Sequence, residues 1–187
     1  MKIKSGFSGE RSLVLPRVII DSMEKDPLTS LLHITDIGYY PKASHHYRHR
    51  DPPIAQYVFI YCIDGRGWFE LGGTTYDVRA NQYFILPAGI PHTYASSDGD
   101  PWTIYWAHSG GTMARHFVTA DPAPQTIAPG LDSRIANRIN LFEEIFNTLN
   151  DSFALENIRY AVSAFHHFLE SLRYLKLYRK VGNQKHD

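Results

Sequence analysis

From Tyr57 to His108 the chain keeps repeating one pattern: a short β-branched or aromatic run, then a turn rich in Gly, Pro, Asn, Asp or Ser. Residues 57–63 run into Asp64-Gly65-Arg66-Gly67, residues 68–71 into Gly72-Gly73, and residues 74–78 into Ala80-Asn81-Gln82. Residues 83–86 run into Pro87-Ala88-Gly89, and after the loop Ser96-Ser97-Asp98-Gly99-Asp100-Pro101 residues 102–108 close the series. Such runs are too short and too often interrupted to be helices. Turn signals at this spacing predict an all-β sandwich or barrel.

The segment from Asn81 to Tyr94 carries the most chemistry. Tyr83, Phe84, Ile85 and Leu86 form a β-prone run. Pro87 and Gly89 end it, because proline cannot donate to a sheet ladder and glycine tolerates turn dihedrals. His92 and Tyr94 follow, and on a strand their period of two aims both side chains at one face. The same period puts Trp102, Ile104 and Trp106 on one face of the last strand. An imidazole, a phenol and indoles near one another suit a lined cavity as well as an ordinary barrel core.

Upstream, residues 31–40 read as a strand, and the polar stretch from His45 to Pro53 cannot continue as helix. Residues 1–30 are mixed. Leu13-Val14-Leu15 and Val18-Ile19-Ile20, separated by Pro16-Arg17, suit an edge strand or an arm lying on the barrel.

Beyond Gly110-Gly111 the regime changes. Three prolines between 119 and 130 mark a connection. Asp132 or Ser133 then caps a helix whose apolar face is Ile135, Ile139, Phe142, Ile145, Phe146 and Leu149. Asn150-Asp151 ends it, and Ser152 caps a second helix running from about Phe153 to Arg179. One stripe of that helix is Ile158, Val162, Phe165, Leu169 and Leu172, and a second is Ala161, Ala164, Phe168, Leu175 and Tyr178. Two stripes allow one to pack on this chain and the other on a second copy. The first stripe is assigned to the homodimer contact, against the plainer reading of a helix buried on two sides of one subunit. The domain division is therefore a barrel with its arm at 1–118, a connection at 119–131, helices at 132–180 and the start of a linker at 181–187.

Several function classes fall away. Lys plus Arg equals Asp plus Glu at 19 each, which argues against a basic nucleic-acid footprint within this segment. The lone Cys62 rules out an internal disulfide and fits a reducing compartment. No apolar stretch reaches membrane-spanning length and no signal peptide is visible, so the expected location is cytoplasmic. No Gly-x-Ser-x-Gly elbow is present, which removes the commonest hydrolase signature. Ten histidines make a metal site worth testing, with His45, His46 and His49 clustered and His92 on the key strand. However, the hairpin at 57–70 holds no histidine, and one His without partners cannot form a three-ligand site. What remains is capture of a sugar or polyol, where a Trp ring stacks on C–H groups and an Arg fork binds hydroxyls or a carboxylate.

Pro87-Ala88-Gly89-Ile90-Pro91-His92-Thr93-Tyr94 resembles the Pro-x-Gly-x-x-His-x-Tyr turn of the cupin-type sensor domains of AraC-family transcription regulators. Ala80-Asn81-Gln82 departs from the Pro-Gly-Asp often found before that turn. The resemblance spans about residues 50–180. It implies a mainly β fold, a cupin-like jelly-roll barrel of eight strands followed by two antiparallel α-helices that dimerise. It also implies a small sugar-like effector, no cofactor or metal, and no catalysis. Arg50, Tyr94 and Trp106 stand where the arabinose-responsive member has its ligand residues, and Ile104 replaces a polar contact there. With His92 they make up the expected ligand site. Helix-turn-helix motifs contacting DNA would lie downstream, since the chain contains neither. A metal-dependent cupin isomerase or dioxygenase is the alternative.

Overall fold

The computed structural model describes residues 1–130 and 132–184. Ten strands form two antiparallel sheets that face each other. The larger places β1 (Arg11–Val14), β2 (His33–Tyr40), β9 (Thr103–Gly110), β4 (Tyr57–Asp64), β7 (Gln82–Leu86) and β10 (Gln125–Thr126) side by side in that order. The smaller runs β3 (Tyr47–Arg50), β8 (His92–Ser96), β5 (Arg66–Leu71) and β6 (Thr74–Arg79). The protein is thus mainly β, a cupin-like barrel with helices at its C-terminal end.

The large sheet is covered on both faces, which explains why β4 reads as unbroken apolar sequence rather than alternating. Val58, Ile60 and Cys62 point between the sheets, into a core shared with Phe69, Phe84 and Trp102. Phe59 and Tyr61 point the other way, into a core shared with the helices. Each such side chain contributes about 1.5–3 kcal/mol of burial. Trp102 is fully buried and lies against Gly67, where any Cβ would stand 2.1 Å from the indole. The second glycine of the Asp64–Gly67 segment is therefore a packing requirement, not a turn requirement.

Among the described residues four α-helices accompany the barrel. α1 (Arg17–Lys25) starts directly after Pro16 and buries Ile20 and Met23. The apolar piece Val18-Ile19-Ile20 is thus helical, and of the two pieces Leu13-Val14 alone lies in an edge strand, β1. α2 (Ile135–Asp151) and α3 (Leu155–Arg173) pack on each other, and their three-residue connection makes them antiparallel. The start of α2 differs from expectation. Its cap is Arg134 at φ 58°, and the Ser133 hydroxyl donates to the Gly130 carbonyl instead of capping.

The second helix does not run through to Arg179. It breaks at Tyr174 (φ −109°, ψ 57°) and resumes as α4 (Leu175–Gly182). The fully buried Arg138 supplies the reason. Its guanidinium donates to the Ser133 carbonyl at 2.6 Å and to the Ser171 carbonyl at 3.0 Å. Ser171 O is the acceptor that a continuous helix would offer to the Leu175 N–H.

The stripe assigned to a second copy is also corrected. Ile158, Phe165, Leu169 and Leu172 are at most 5% exposed within this one chain, and Val162 packs partly buried against the same core. Ala161, Phe168 and Tyr178 of the other stripe are buried too. The sheet and α2 cover both sides of α3, as the plainer reading had it. In the connection, residues 125–126 pair with β7 and Ile127 is fully buried, so that stretch belongs partly to the sheet. Leu131 and residues 185–187 of the expected linkers lie outside the described residues.

Candidate functional site

Between the sheets, at the end of the barrel nearest the N-terminal segment, lies a cavity of about 180 Å³. Ile60 and Ile104 supply apolar wall. Asp36 and Tyr40 reach it from β2, Arg48 and Arg50 from β3, Tyr94 from β8, and Trp106 and His108 from β9.

Strand register brings the polar groups together. Arg50 is the cross-strand partner of His92, and Arg48 that of Tyr94. The Arg50 guanidinium donates to the Tyr94 hydroxyl and sits against His92 Nε2, both at 3.0 Å. Burial, helped by the Arg50 charge, pushes the His92 imidazole down to about 4, so it stays neutral and Nε2 can accept from Arg50. Deeper in, His46 accepts the Trp102 indole N–H at 3.1 Å through Nδ1, and burial lowers it to about 3.

On the opposite wall Asp36 and His108 face each other across β2 and β9, with Asp36 Oδ2 2.8 Å from His108 Nδ1. Thr35 Oγ1 donates to the other carboxylate oxygen at 2.6 Å. Burial alone would raise this carboxyl, but the hydrogen bonds from His108 and Thr35 outweigh it and hold Asp36 below its usual range. Asp36 therefore remains an ionised acceptor.

Trp106 lies between these walls, 5.3 Å from the Tyr40 ring and 5.2 Å from the His108 ring. Its indole lies across Gly38 on β2, where any Cβ would approach ring atoms to 2.6 Å. Trp106 Nε1 is buried with no hydrogen-bond partner. The Trp106 ring borders the cavity, while the N–H itself is an unmet hydrogen bond held inside the fold.

The N-terminal segment forms the rim. Lys4, Ser5, Ser12 and Val14 border the opening, and Phe7 packs 5.0 Å from the Tyr40 ring. The other face of β1 is tied to the helices. Arg11 grips both carboxylate oxygens of Glu143 on α2, one of them at 2.6 Å, and the Tyr105 hydroxyl donates to Glu143 at 2.7 Å. One four-residue strand thus touches both the cavity and the helical layer.

Of the expected site residues, the structure places Arg50, Tyr94, Ile104 and Trp106 on the cavity, with His92 one hydrogen bond behind Arg50. Trp102 sits in the core instead. The sequence reading did not single out Asp36, Tyr40, His46, Arg48 or His108 as pocket groups. A carboxylate inside the apolar run Ile34-Thr35-Asp36-Ile37 was the available signal. His45, His46 and His49 do not converge. His45 lies 3.9 Å from Asp98 at the surface, His46 is inside, and His49 bonds Thr93 outside. Among the described residues no group of three or more His, Cys, Asp or Glu is arranged to hold a metal ion. Burial raises the Cys62 thiol to about 12, which leaves it unreactive.

Two facing sheets around a small polar cavity, with helices on the outer face of the larger one, make a cupin-like barrel with a candidate ligand site. The AraC-like ligand binding domain matches residues 37–169, and the chain belongs to that family. It is 31% identical over 106 residues to the MmsAB operon regulatory protein of Pseudomonas aeruginosa, covering 54% of this chain and 34% of that protein. It is 33% identical over 62 residues to the lactose operon transcription activator of Staphylococcus xylosus, covering 33% of this chain and 22% of that one. The chain therefore matches only a third or less of these regulators' own length. Among solved structures, YhaK from Escherichia coli is similar at 14% identity and TM-score 0.46, over 67% of this chain and 53% of that chain. The Schizosaccharomyces pombe Cnp3 cupin domain is similar at 16% identity and TM-score 0.38, over 60% of this chain and 73% of that chain. No helix among the described residues is long and apolar enough to cross a membrane.

Proposed function

We propose that this chain is the effector-sensing part of a transcription regulator, that it binds a small polar molecule in the barrel cavity, and that it performs no chemistry on it. The observation that carries this reading is the cavity itself. The Arg50–Tyr94 pair, the Asp36 carboxylate and the Trp106 ring border one cavity between the sheets. Its volume of about 180 Å³ is below the ~300–1,000 Å³ of drug-sized sites, so the guest has few heavy atoms. A sugar or a related polar metabolite fits that description. The cupin-enzyme alternative is disfavoured by His92, whose Nε2 faces a guanidinium at 3.0 Å where a metal would have to stand.

Signal output follows the same geometry. A guest that contacts Ser12 or Val14 biases the position of β1, and Arg11 on that strand holds α2. Differential affinity for two β1 positions would shift the packing of the helices and, through them, a DNA-binding region outside this chain. Two copies would pair through the outer face of the C-terminal helices. Tyr160, Tyr174, Leu177 and Val181 are each more than half exposed there. The test of the sensing reading is a melting and calorimetry screen against small sugars, polyols and organic acids. A true effector at a hundred times its Kd stabilises the fold by about 2.7 kcal/mol. Trp106→Ala is expected to lose that response while the free protein keeps its β-sheet spectrum. An unchanged response would remove the cavity from the reading.

A further inference from the structure

Resting on the sensing reading above, the charges in the cavity narrow the class of guest. We infer that the effector is a short hydroxy acid, its carboxylate held between Arg48 and Arg50 and one of its hydroxyls donating to Asp36.

The first reason is unmatched positive charge. Among the described residues Arg11, Arg17, Arg159 and Arg173 have a carboxylate partner, and the other arginines have none. Of those without one, the buried Arg138 spends its guanidinium on two backbone carbonyls, whereas Arg48 and Arg50 are partly buried and border a cavity that opens to solvent at one end. Arg50 uses one nitrogen on His92 and Tyr94, and Arg48 makes no side-chain hydrogen bond among the described residues. Asp36 offsets the Arg50 charge only through space and forms no ion pair with either guanidinium. It is held instead by His108 and Thr35. Lys4 at the rim adds a third cation. Partly desolvated guanidinium groups without an anion are costly, and an incoming carboxylate removes that cost through two parallel hydrogen bonds. A neutral sugar cannot.

The second reason is the count of donors against acceptors. Two guanidiniums and the Tyr40 phenol border the space as donors, and burial keeps Tyr40 protonated. Asp36 is the one ionised acceptor that borders it. The complementary guest carries an acceptor-rich end and a hydroxyl some way along the chain. Its apolar carbons then meet Ile60 and Ile104, and the cavity volume limits the skeleton to a few carbons.

Calorimetry on the 187-residue chain with matched probes tests this. D-glycerate and D-threonate are compared with the neutral glycerol, erythritol and L-arabinose, and with the deoxy acids propionate and butyrate. The expected result is that the hydroxy acids bind at least tenfold tighter than the neutral polyols of equal skeleton. Arg48→Met is expected to remove that preference by tenfold or more without lowering the guest-free melting temperature, and Arg48→Lys to restore part of it. Asp36→Asn is expected to narrow the gap between hydroxy and deoxy acids while both still bind. If a neutral polyol binds as tightly as its acid, or Arg48→Met leaves the ranking intact, the hydroxy-acid assignment is overturned and the sensing reading stands. If no probe of any class binds, both fall.

Discussion

His46 and His92 are neutral in the fold because burial, reinforced by neighbouring arginines, opposes a proton on either ring. Their folded values of about 3 and about 4 lie below the ordinary 6.5. The unfolded chain therefore takes up protons below pH ~6.5 that the folded chain refuses, and stability falls as pH drops through that window. Asp36 and Glu143 are held below 3.8 and 4.5, so their contributions are lost only at lower pH. Between about pH 6.5 and 4.5 the slope belongs to the histidines, at up to ~1.4 kcal/mol per pH unit for each. Urea melts at about pH 7, 6 and 5 are expected to show it, and His46→Gln to reduce it; a flat profile would mean these rings are not neutral in the fold. The cavity-facing placement of Tyr94 and Trp106 was legible in the sequence through period-two spacing, whereas Arg50 came only from the family resemblance. Asp36 was not legible. Ile34 and Ile37 both pack on the helix-side core, which period two forbids, and the irregularity between Ile34 and Asp36 resolves it. That shift turns Asp36 inward to meet His108, and nothing local in the sequence marks it.

Among the elements, every strand from β4 to β9 was legible because each lies between strong turn signals. α2 and α3 were legible by their apolar spacing, but not the partner each stripe would meet, and α1 was not read as a helix at all. A stripe says that a face is covered, not by what, and here the large sheet and α2 cover both sides of α3. The break at Tyr174 was invisible for a different reason. No Pro or Gly marks it, and its cause is Arg138, thirty-three positions from Ser171. Arg138 also lies 4.4 Å from the Tyr178 ring, so one side chain joins α2, α3 and α4. Arg138→Met keeps the apolar stem and leaves the Ser133 and Ser171 carbonyls without their donor. The expected loss is ~1–3 kcal/mol for each buried carbonyl left unpaired. Chemical denaturation measures the loss, and hydrogen exchange is expected to localise the opening to residues 171–182. Unchanged stability would show that the break is set by something other than this guanidinium.

At the scale of the whole molecule the question is which surface remains for a second copy once the apolar stripes are inside. Leu169 on α3 is 5% exposed, whereas Leu177, eight positions on and in α4, is 58% exposed. A charge at Leu169 would be buried in an apolar core, so Leu169→Asp is expected to lose the fold, with a collapsed circular dichroism melt. A charge at Leu177 meets water in the free chain and a symmetric partner in the pair. An isologous contact places the new carboxylates on both copies in the same patch, so each substitution acts twice. Leu177→Asp is therefore expected to keep the melting temperature of the free chain and to convert a species of twice 21.4 kDa into one of 21.4 kDa by light scattering. If the unsubstituted chain already scatters as a single copy at high concentration, pairing through these helices is wrong. If it pairs and Leu177→Asp still pairs, α4 is not the face, and the exposed Tyr160 side of α3 becomes the surface to alter next.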